Sequence, residues 1–235
     1  MSKYPKKIKG LIFDKDGTLF DFAATWEAWA QAFLMRLCMG NRARATEMGA
    51  VIGFDMESAQ FARDSVVIAG TSGEVSEILL PFFPDMNAQS LTALLNQESE
   101  RAPQREAVPL MPLLIDLRAR GLRLGVATND AERPARAHLG SAGVLDMFDF
   151  IAGFDSGHGG KPAPGQLLAF AAAMGLAPDQ IVMIGDSTHD LRAGRAAGMT
   201  TIGVLTGPAD TNDLTPLADL VMPDIGHLSE WLDTQ

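Results

Sequence analysis

Short, nearly continuous apolar runs punctuate the chain at Leu11 to Phe13, Leu122 to Ala127, Phe150 to Ala152, Ile181 to Ile184, Thr201 to Leu205 and Leu220 to Met222, each edged by turn-forming residues. Runs of this kind, without polar alternation, suit strands buried on both faces. Between most of them lie helix-like stretches with a glycine at the end: Leu110 to Arg120 before Gly121, Ala131 to Ser141 before Gly143, Pro164 to Met174 before Gly175, and Thr188 to Ala197 before Gly198. Glycine in this place provides a left-handed C-terminal cap. The alternation predicts βαβ units and an α/β fold with a doubly wound, Rossmann-like parallel sheet.

Residues 21–107 break the alternation. No convincing strand occurs there, while Trp26, Trp29, Ala30, Phe33, Leu34 and Leu37 recur at spacings of three and four, the pattern of one helix face. The two tryptophans are read as core. Further helical stretches are expected around Ser58 to Ala69, Glu74 to Leu80 and Gln89 to Ala102, with Pro81, Pro84, Pro103 and Pro109 breaking the chain around them. Residues 21–107 are therefore expected to form a helical domain inserted after the first strand, and residues 1–20 with 108–235 the α/β core. An insertion hinged over a crevice can act as a lid.

Composition narrows the partners. The chain has 235 residues, 47% of them hydrophobic, and a formal net charge of −10. That charge argues against nucleic acid or an anionic membrane surface as the main partner. A single cysteine, Cys38, permits no intrachain disulfide and points to a reducing, cytoplasmic setting. Lys3, Lys6, Lys7 and Lys9 imitate the start of a signal peptide, but Asp14 interrupts the apolar run that follows, and no segment has the length of a membrane span. Oligomeric state is not legible in these features.

Four segments carry the chemistry: Asp14-Lys15-Asp16-Gly17-Thr18, Thr128-Asn129, Gly160-Lys161-Pro162 and Gly185-Asp186-Ser187-Thr188-His189-Asp190. Each follows a strand and precedes a helix or turn, so a parallel sheet would gather all four at its carboxyl edge. Asp14 and Asp16, two apart, lean to the same side of a strand, and Gly17 permits a sharp turn. Adding Asp186 and Asp190 crowds carboxylates together, which a divalent cation relieves; hard oxygen ligands favour Mg²⁺. Asp186 or Asp190 taken singly reads equally well as a helix cap. Of the six lysines only Lys161 lies beyond the first fifteen residues, and with Pro162 opening a helix it would reach an anion at that helix terminus. Thr128 and Asn129 offer a hydroxyl and backbone donors to phosphate oxygens, or cap a helix.

The order Asp-x-Asp-Gly-Thr-Leu, Thr-Asn, Lys-Pro and Gly-Asp-Ser-x-x-Asp resembles the haloacid dehalogenase superfamily, specifically its phosphatases with a helical, C1-type cap, and within these the phosphoglycolate phosphatase-like hydrolases. The resemblance implies Asp14 as nucleophile forming an aspartyl-phosphate and Asp16 as general acid and base with a raised pKa. It implies Mg²⁺ held by Asp14, the Asp16 backbone carbonyl and Asp186, with Asp190 orienting that set. Thr128, Asn129 and Lys161 would hold the phosphoryl oxygens. The implied substrate is a small organic phosphomonoester, phosphoglycolate-like. Lys15 departs from the family's usual apolar residue and is expected to point away from both acids, toward solvent, the cap or a substrate. His189 is read as a surface position.

The intact acid pair disfavours a dehalogenase, and the lack of lysine in residues 21–107 disfavours a phosphonate hydrolase. A phosphosugar mutase on the same fold, or a non-catalytic phosphometabolite-binding protein, stands as the alternative. Arg42 and Arg44, in an expected Gly40-Asn41-Arg42-Ala43-Arg44 turn, are candidates for binding a second anionic group of the substrate such as a carboxylate.

Overall fold

The computed structural model describes residues 7–235; Lys3 and Lys6 lie outside the described residues. The chain opens with β1 (Gly10–Phe13) and enters a helical segment: a π-turn (Ala23–Glu27), α1 (Ala28–Leu37), α2 (Arg42–Val51), a two-stranded hairpin of β2 (Phe54–Asp55) and β3 (Gln60–Phe61), α3 (Val66–Ala69), α4 (Ser72–Leu79) and α5 (Ala88–Ser99). It then alternates through α6 (Leu110–Ala119), β4 (Arg123–Ala127), α7 (Glu132–Ser141), β5 (Phe150–Ala152), α8 (Gly165–Met174), β6 (Ile181–Gly185), α9 (Thr188–Ala197), β7 (Thr200–Val204), α10 (Thr211–Leu214), β8 (Leu220–Met222) and α11 (Leu228–Leu232). Among the described residues, no helix is long and apolar enough to cross a membrane.

The six main strands are all parallel, in the order β5-β4-β1-β6-β7-β8. Alternation within each strand builds two cores. Leu11 and Phe13 of β1, Leu124 and Val126 of β4, and Val182 and Ile184 of β6 face one way; Ile12, Ala127, Ile181 and Met183 face the other, onto Phe170 and Leu167 of α8. Both faces are covered, which is why the strands read as unbroken apolar runs. Because β1 pairs with β4 on one side and with β6 on the other, the winding direction changes at β1, and the crevice opens at its carboxyl end.

The helical segment has its own apolar cluster, in which Phe33 and Leu34 of α1 meet Met48 of α2, Phe54 of β2, Leu79 of α4 and Leu91 of α5. Two sequence expectations fail here. The helix expected around Ser58 to Ala69 shrinks to α3, because the polar residues before it form a hairpin and the first N-cap comes late, at Ser65, whose hydroxyl accepts from the Val67 N–H. The Gly40 to Arg44 turn is the threshold of a helix: Gly40 takes φ +81° and Asn41 caps α2 by accepting from the Arg44 N–H. A third expectation shifts. α8 begins at Gly165, one residue after the expected Pro164, but Pro162 does not open it, since Pro164 disfavours helical backbone at Ala163 and confines Pro162 to the preceding turn.

At Gly125 of β4 the sheet packs directly against α8, and a Cβ there would lie 2.8 Å from the Phe170 ring. Gly125→Ala should therefore destabilise the fold by about 1–3 kcal/mol through overpacking, read as a lower urea midpoint at unchanged slope.

Candidate active site

The loop after β1 turns sharply because Gly17, at φ +74°, donates to the Phe20 carbonyl at 2.7 Å. The Thr206 hydroxyl, from the loop after β7, donates to the Gly17 carbonyl at 2.6 Å. Gly17 and Gly207 both lie so close to the Asp186 carboxylate that a Cβ at either position would overlap it, so the two glycines form the slot that receives this side chain. Asp186 is almost fully buried, and the Thr18 hydroxyl donates to it at 3.3 Å. One carboxylate oxygen each from Asp14, Asp186 and Asp190 lie within 4.8 Å of one another. The N-cap of α9 is Ser187; Asp190 completes the capping box from inside the helix, accepting from the Ser187 hydroxyl at 2.6 Å and the Ser187 N–H at 3.0 Å, and its other oxygen meets the Lys161 ammonium.

Lys161 bridges the cluster, with its ammonium 2.7 Å from Asp14 and 2.6 Å from Asp190. Asn129 fixes the lysine's loop from both ends of its amide, accepting from the Lys161 N–H at 2.8 Å and donating to the Lys161 carbonyl at 2.9 Å. The same amide nitrogen donates to the Ala69 carbonyl of α3 at 2.7 Å, which ties the helical segment to the sheet edge. The Thr128 hydroxyl accepts from the Asp130 N–H at 3.0 Å and shapes the loop rather than capping α7.

One ammonium does not balance three carboxylates. Burial, reinforced by the charge of Asp190, pushes Asp14 up to about 7. Burial, together with Asp190 and Asp14, holds Asp186 well above the ordinary carboxylate range. Burial alone would lower Lys161, but Asp14 and Asp190 keep it above the usual lysine value. Two buried acids strained toward neutrality, all hard oxygen donors and converging on one point, fit a divalent cation.

Asp16 lies in a second charged network. Lys15 is fully buried and turns back onto its neighbour, its ammonium 2.8 and 2.7 Å from the two Asp16 oxygens, 3.3 Å from Asp130 and 3.0 Å from His138 Nδ1. The expectation that it points away from both acids is overturned: pairing with Asp16 and Asp130 is what offsets the desolvation of a buried ammonium. The raised pKa expected for Asp16 is overturned with it. Burial would raise that carboxyl, but Lys15, then His138, bring it below the ordinary value. Burial also pushes Asp130 up to about 6 and His138 down to about 4, the latter reinforced by Lys15. With Lys15 donating to Nδ1, His138 Nε2 carries the hydrogen and donates to the Ser99 carbonyl at the end of α5, 2.7 Å away. Trp26 Nε1–H donates to Asp16 at 2.9 Å. Trp26 and Trp29 line the crevice and are not simply core.

Asp130, His138 and Ser99 were not singled out from sequence. Asp130 adjoins the Thr128-Asn129 motif and was within reach of it; His138 in mid-helix and a carbonyl at Ser99 gave no pattern to read. His189 is half-buried and lines the crevice mouth. The candidate arginines do not reach the crevice: Arg44 donates to the Phe82 carbonyl at 2.6 Å and Arg42 to the Met56 carbonyl at 3.4 Å, both bracing the helical segment.

A six-stranded parallel sheet with a helical insertion after its first strand, and buried aspartates at the ends of the first and fourth strands in sequence around a shared lysine, define a hydrolase of one superfamily. Residues 8–198 match the family model for haloacid dehalogenase-like hydrolases. The phosphoglycolate phosphatase of Escherichia coli O157:H7 is 30% identical over 241 residues, covering 97% of this chain and 92% of its own. Among solved structures, a predicted phosphoglycolate phosphatase of Haemophilus somnus 129pt superimposes with a TM-score of 0.73 at 19% identity, covering 98% of this chain and 99% of its own. The β-phosphoglucomutase of Clostridium difficile superimposes at 0.65 with 20% identity, covering 97% and 98%. Likeness at these identities concerns the fold, which phosphatases and mutases share. The chain belongs to the haloacid dehalogenase-like hydrolase family, and its full-length relationship to phosphatases of that family makes it a phosphoric monoester hydrolase.

Two outcomes follow from the Lys15 network. Lys15→Met leaves Asp16 and Asp130 without their cation and should lower stability by about 3–5 kcal/mol, measured by urea denaturation. His138, held near 4, refuses below pH 6.5 a proton that the unfolded chain accepts, so its contribution to stability is complete above 6.5 and declines toward 4. Metal-free wild type should lose stability, relative to His138→Gln, by up to about 1.4 kcal/mol per pH unit across that window; equal slopes in urea titrations of the two proteins would refute it.

Proposed function

We propose that the chain hydrolyses a small organic phosphomonoester with Mg²⁺ through an aspartyl-phosphate on Asp14, the helical residues 21–107 acting as a cap over the core built from residues 1–20 and 108–235. The observation that carries this reading is the convergence of Asp14, Asp186 and Asp190 on one point with Lys161 in contact with two of them. Asp14, the Asp16 backbone carbonyl and Asp186 would hold the metal, with Asp190 orienting them. The bound cation supplies positive charge that keeps Asp14 ionised and offsets the phosphoryl charge.

An Asp14 carboxylate oxygen attacks phosphorus in line, the bond to the leaving alkoxide breaks, and Asp16 transfers a proton to that alkoxide. The dianionic phosphoryl group, once beside Asp16, opposes the carboxylate's charge and favours the protonated form that the step requires. Lys15 and Trp26 fix the direction in which that carboxylate points. In the second half, Asp16 takes a proton from water, the water oxygen bonds to phosphorus, and the bond from phosphorus to Asp14 breaks. Lys161 and the Thr128-Asn129 loop stabilise the equatorial oxygens through both halves. The buried free thiol of Cys38 accords with the cytoplasm as the compartment.

Hydrolysis of p-nitrophenyl phosphate by wild type and Asp14→Asn, each with Mg²⁺ and with excess chelator, tests this reading. Activity should be confined to wild type with Mg²⁺, and Asp14→Asn should lose at least about 10³-fold in kcat. Equal activity with chelator would refute the metal requirement, and an active Asp14→Asn would refute the nucleophile.

A further inference from the structure

The crevice does not end at the phosphate-sized floor. It continues into the helical segment as a cavity of about 120 Å³ that opens to solvent at its mouth. Its upper walls are Trp29, Phe33, Phe61, Val75, Leu79 and Leu95. Trp29 stacks on Phe33 with ring centroids 4.5 Å apart, which makes one wall a flat aromatic surface. Lys161 is the only cation that lines this space among the described residues, and it is engaged by Asp14 and Asp190 at the floor. Five of the six arginines of the helical segment are engaged elsewhere: besides Arg42 and Arg44, Arg36 and Arg101 pair with Glu98, and Arg63 with Asp210 and Asp213, while the sixth, Arg105, is exposed and does not line the cavity. A second anionic group entering here would meet no free lysine or arginine and would face the floor's carboxylates, so two neutral donors alone would have to offset its desolvation.

Two polar atoms among the lining residues of the helical segment lack partners. Trp29 Nε1 and Ser72 Oγ are buried without a hydrogen-bond partner, and both residues line the cavity. A buried donor in that condition is a place for a ligand acceptor. We propose that the cavity receives an apolar leaving group, so that the substrate is a phosphomonoester of an aryl or arylalkyl alcohol carrying at most a neutral hydrogen-bond acceptor, and not a phosphate with a second negative charge. This rests on the phosphomonoesterase reading above and names the substrate class of the same site. Phosphate binds at the floor, the aromatic wall takes the body, and the indole N–H and the Ser72 hydroxyl meet its polar atom.

The test compares benzyl phosphate, glycerol 3-phosphate and phosphoglycolate, all alkyl phosphates, as substrates of wild type with Mg²⁺. Binding of benzylphosphonate and 3-phosphonopropionate, which cannot turn over, is measured in parallel through tryptophan fluorescence. The proposal expects kcat/KM for benzyl phosphate at least about tenfold above that for phosphoglycolate, and benzylphosphonate to bind at least about tenfold more tightly than 3-phosphonopropionate. A phosphoglycolate preference equal or reversed overturns the substrate class while leaving the phosphatase chemistry standing. Absence of turnover with the benzylphosphonate preference intact overturns the chemistry and supports the cavity assignment. Absence of binding by either phosphonate overturns the assignment. Val75→Arg, which places a cation on the half-buried face of α4, should shift the preference toward the carboxylated ligand by about tenfold or more; should that variant not fold, the two wild-type comparisons decide.

Discussion

Mutual repulsion among buried carboxylates governs the design of this molecule. Asp14 at the end of β1 and Asp186 and Asp190 after β6 are brought together by the pairing of neighbouring strands, and nothing in the sheet itself offsets their charge. The surrounding loops are arranged around that problem. Gly17 and Gly207 make room for Asp186, Ser187 occupies one oxygen of Asp190, and the Lys161 loop delivers an ammonium between Asp14 and Asp190. A divalent cation at that point would offset the repulsion, so the crowding of the carboxylates is also what would attract it.

The two acids of the first motif are treated in opposite ways although only one residue separates them. Asp14 is pushed up by burial among other acids, whereas Asp16 is held down by Lys15 and steered by Trp26. This division arises from the direction of a single lysine side chain. It also binds the chemistry to the helical segment, because the same lysine fixes the His138 tautomer that reaches the Ser99 carbonyl. The orientation of Asp16 and the seating of the helical segment on the core therefore share one hydrogen-bonded chain.

The sheet was legible in sequence because its strands are covered on both faces and so read as uninterrupted apolar runs; all six fall within a residue or two of where hydrophobicity placed them. The carboxyl-edge motifs were legible because their residue types have few other uses in that order. The helical segment was harder to read. Its first helix shows a clear period, but α2 is weakly amphipathic and the β2-β3 hairpin is only two residues deep on each side, so local pattern did not announce them. Charge partners were hidden altogether. Whether Lys15 faces outward or inward depends on Asp130 and His138, which are more than a hundred residues away, and whether Arg42 faces a substrate or the Met56 carbonyl depends on how the segment folds back on itself.

The Asn129 side chain touches the Ala69 carbonyl, the Lys161 N–H and the Lys161 carbonyl at once, and Gly160 packs against it so closely that a Cβ there would come within 3.0 Å of its amide oxygen. Two positions thirty-one residues apart in sequence are thereby joined into one unit of inheritance. A side chain at 160 would need a shorter one at 129, whereas no residue smaller than glycine exists to make room at 160 for a longer amide. In related chains any residue other than glycine at 160 should be accompanied by a smaller side chain at 129.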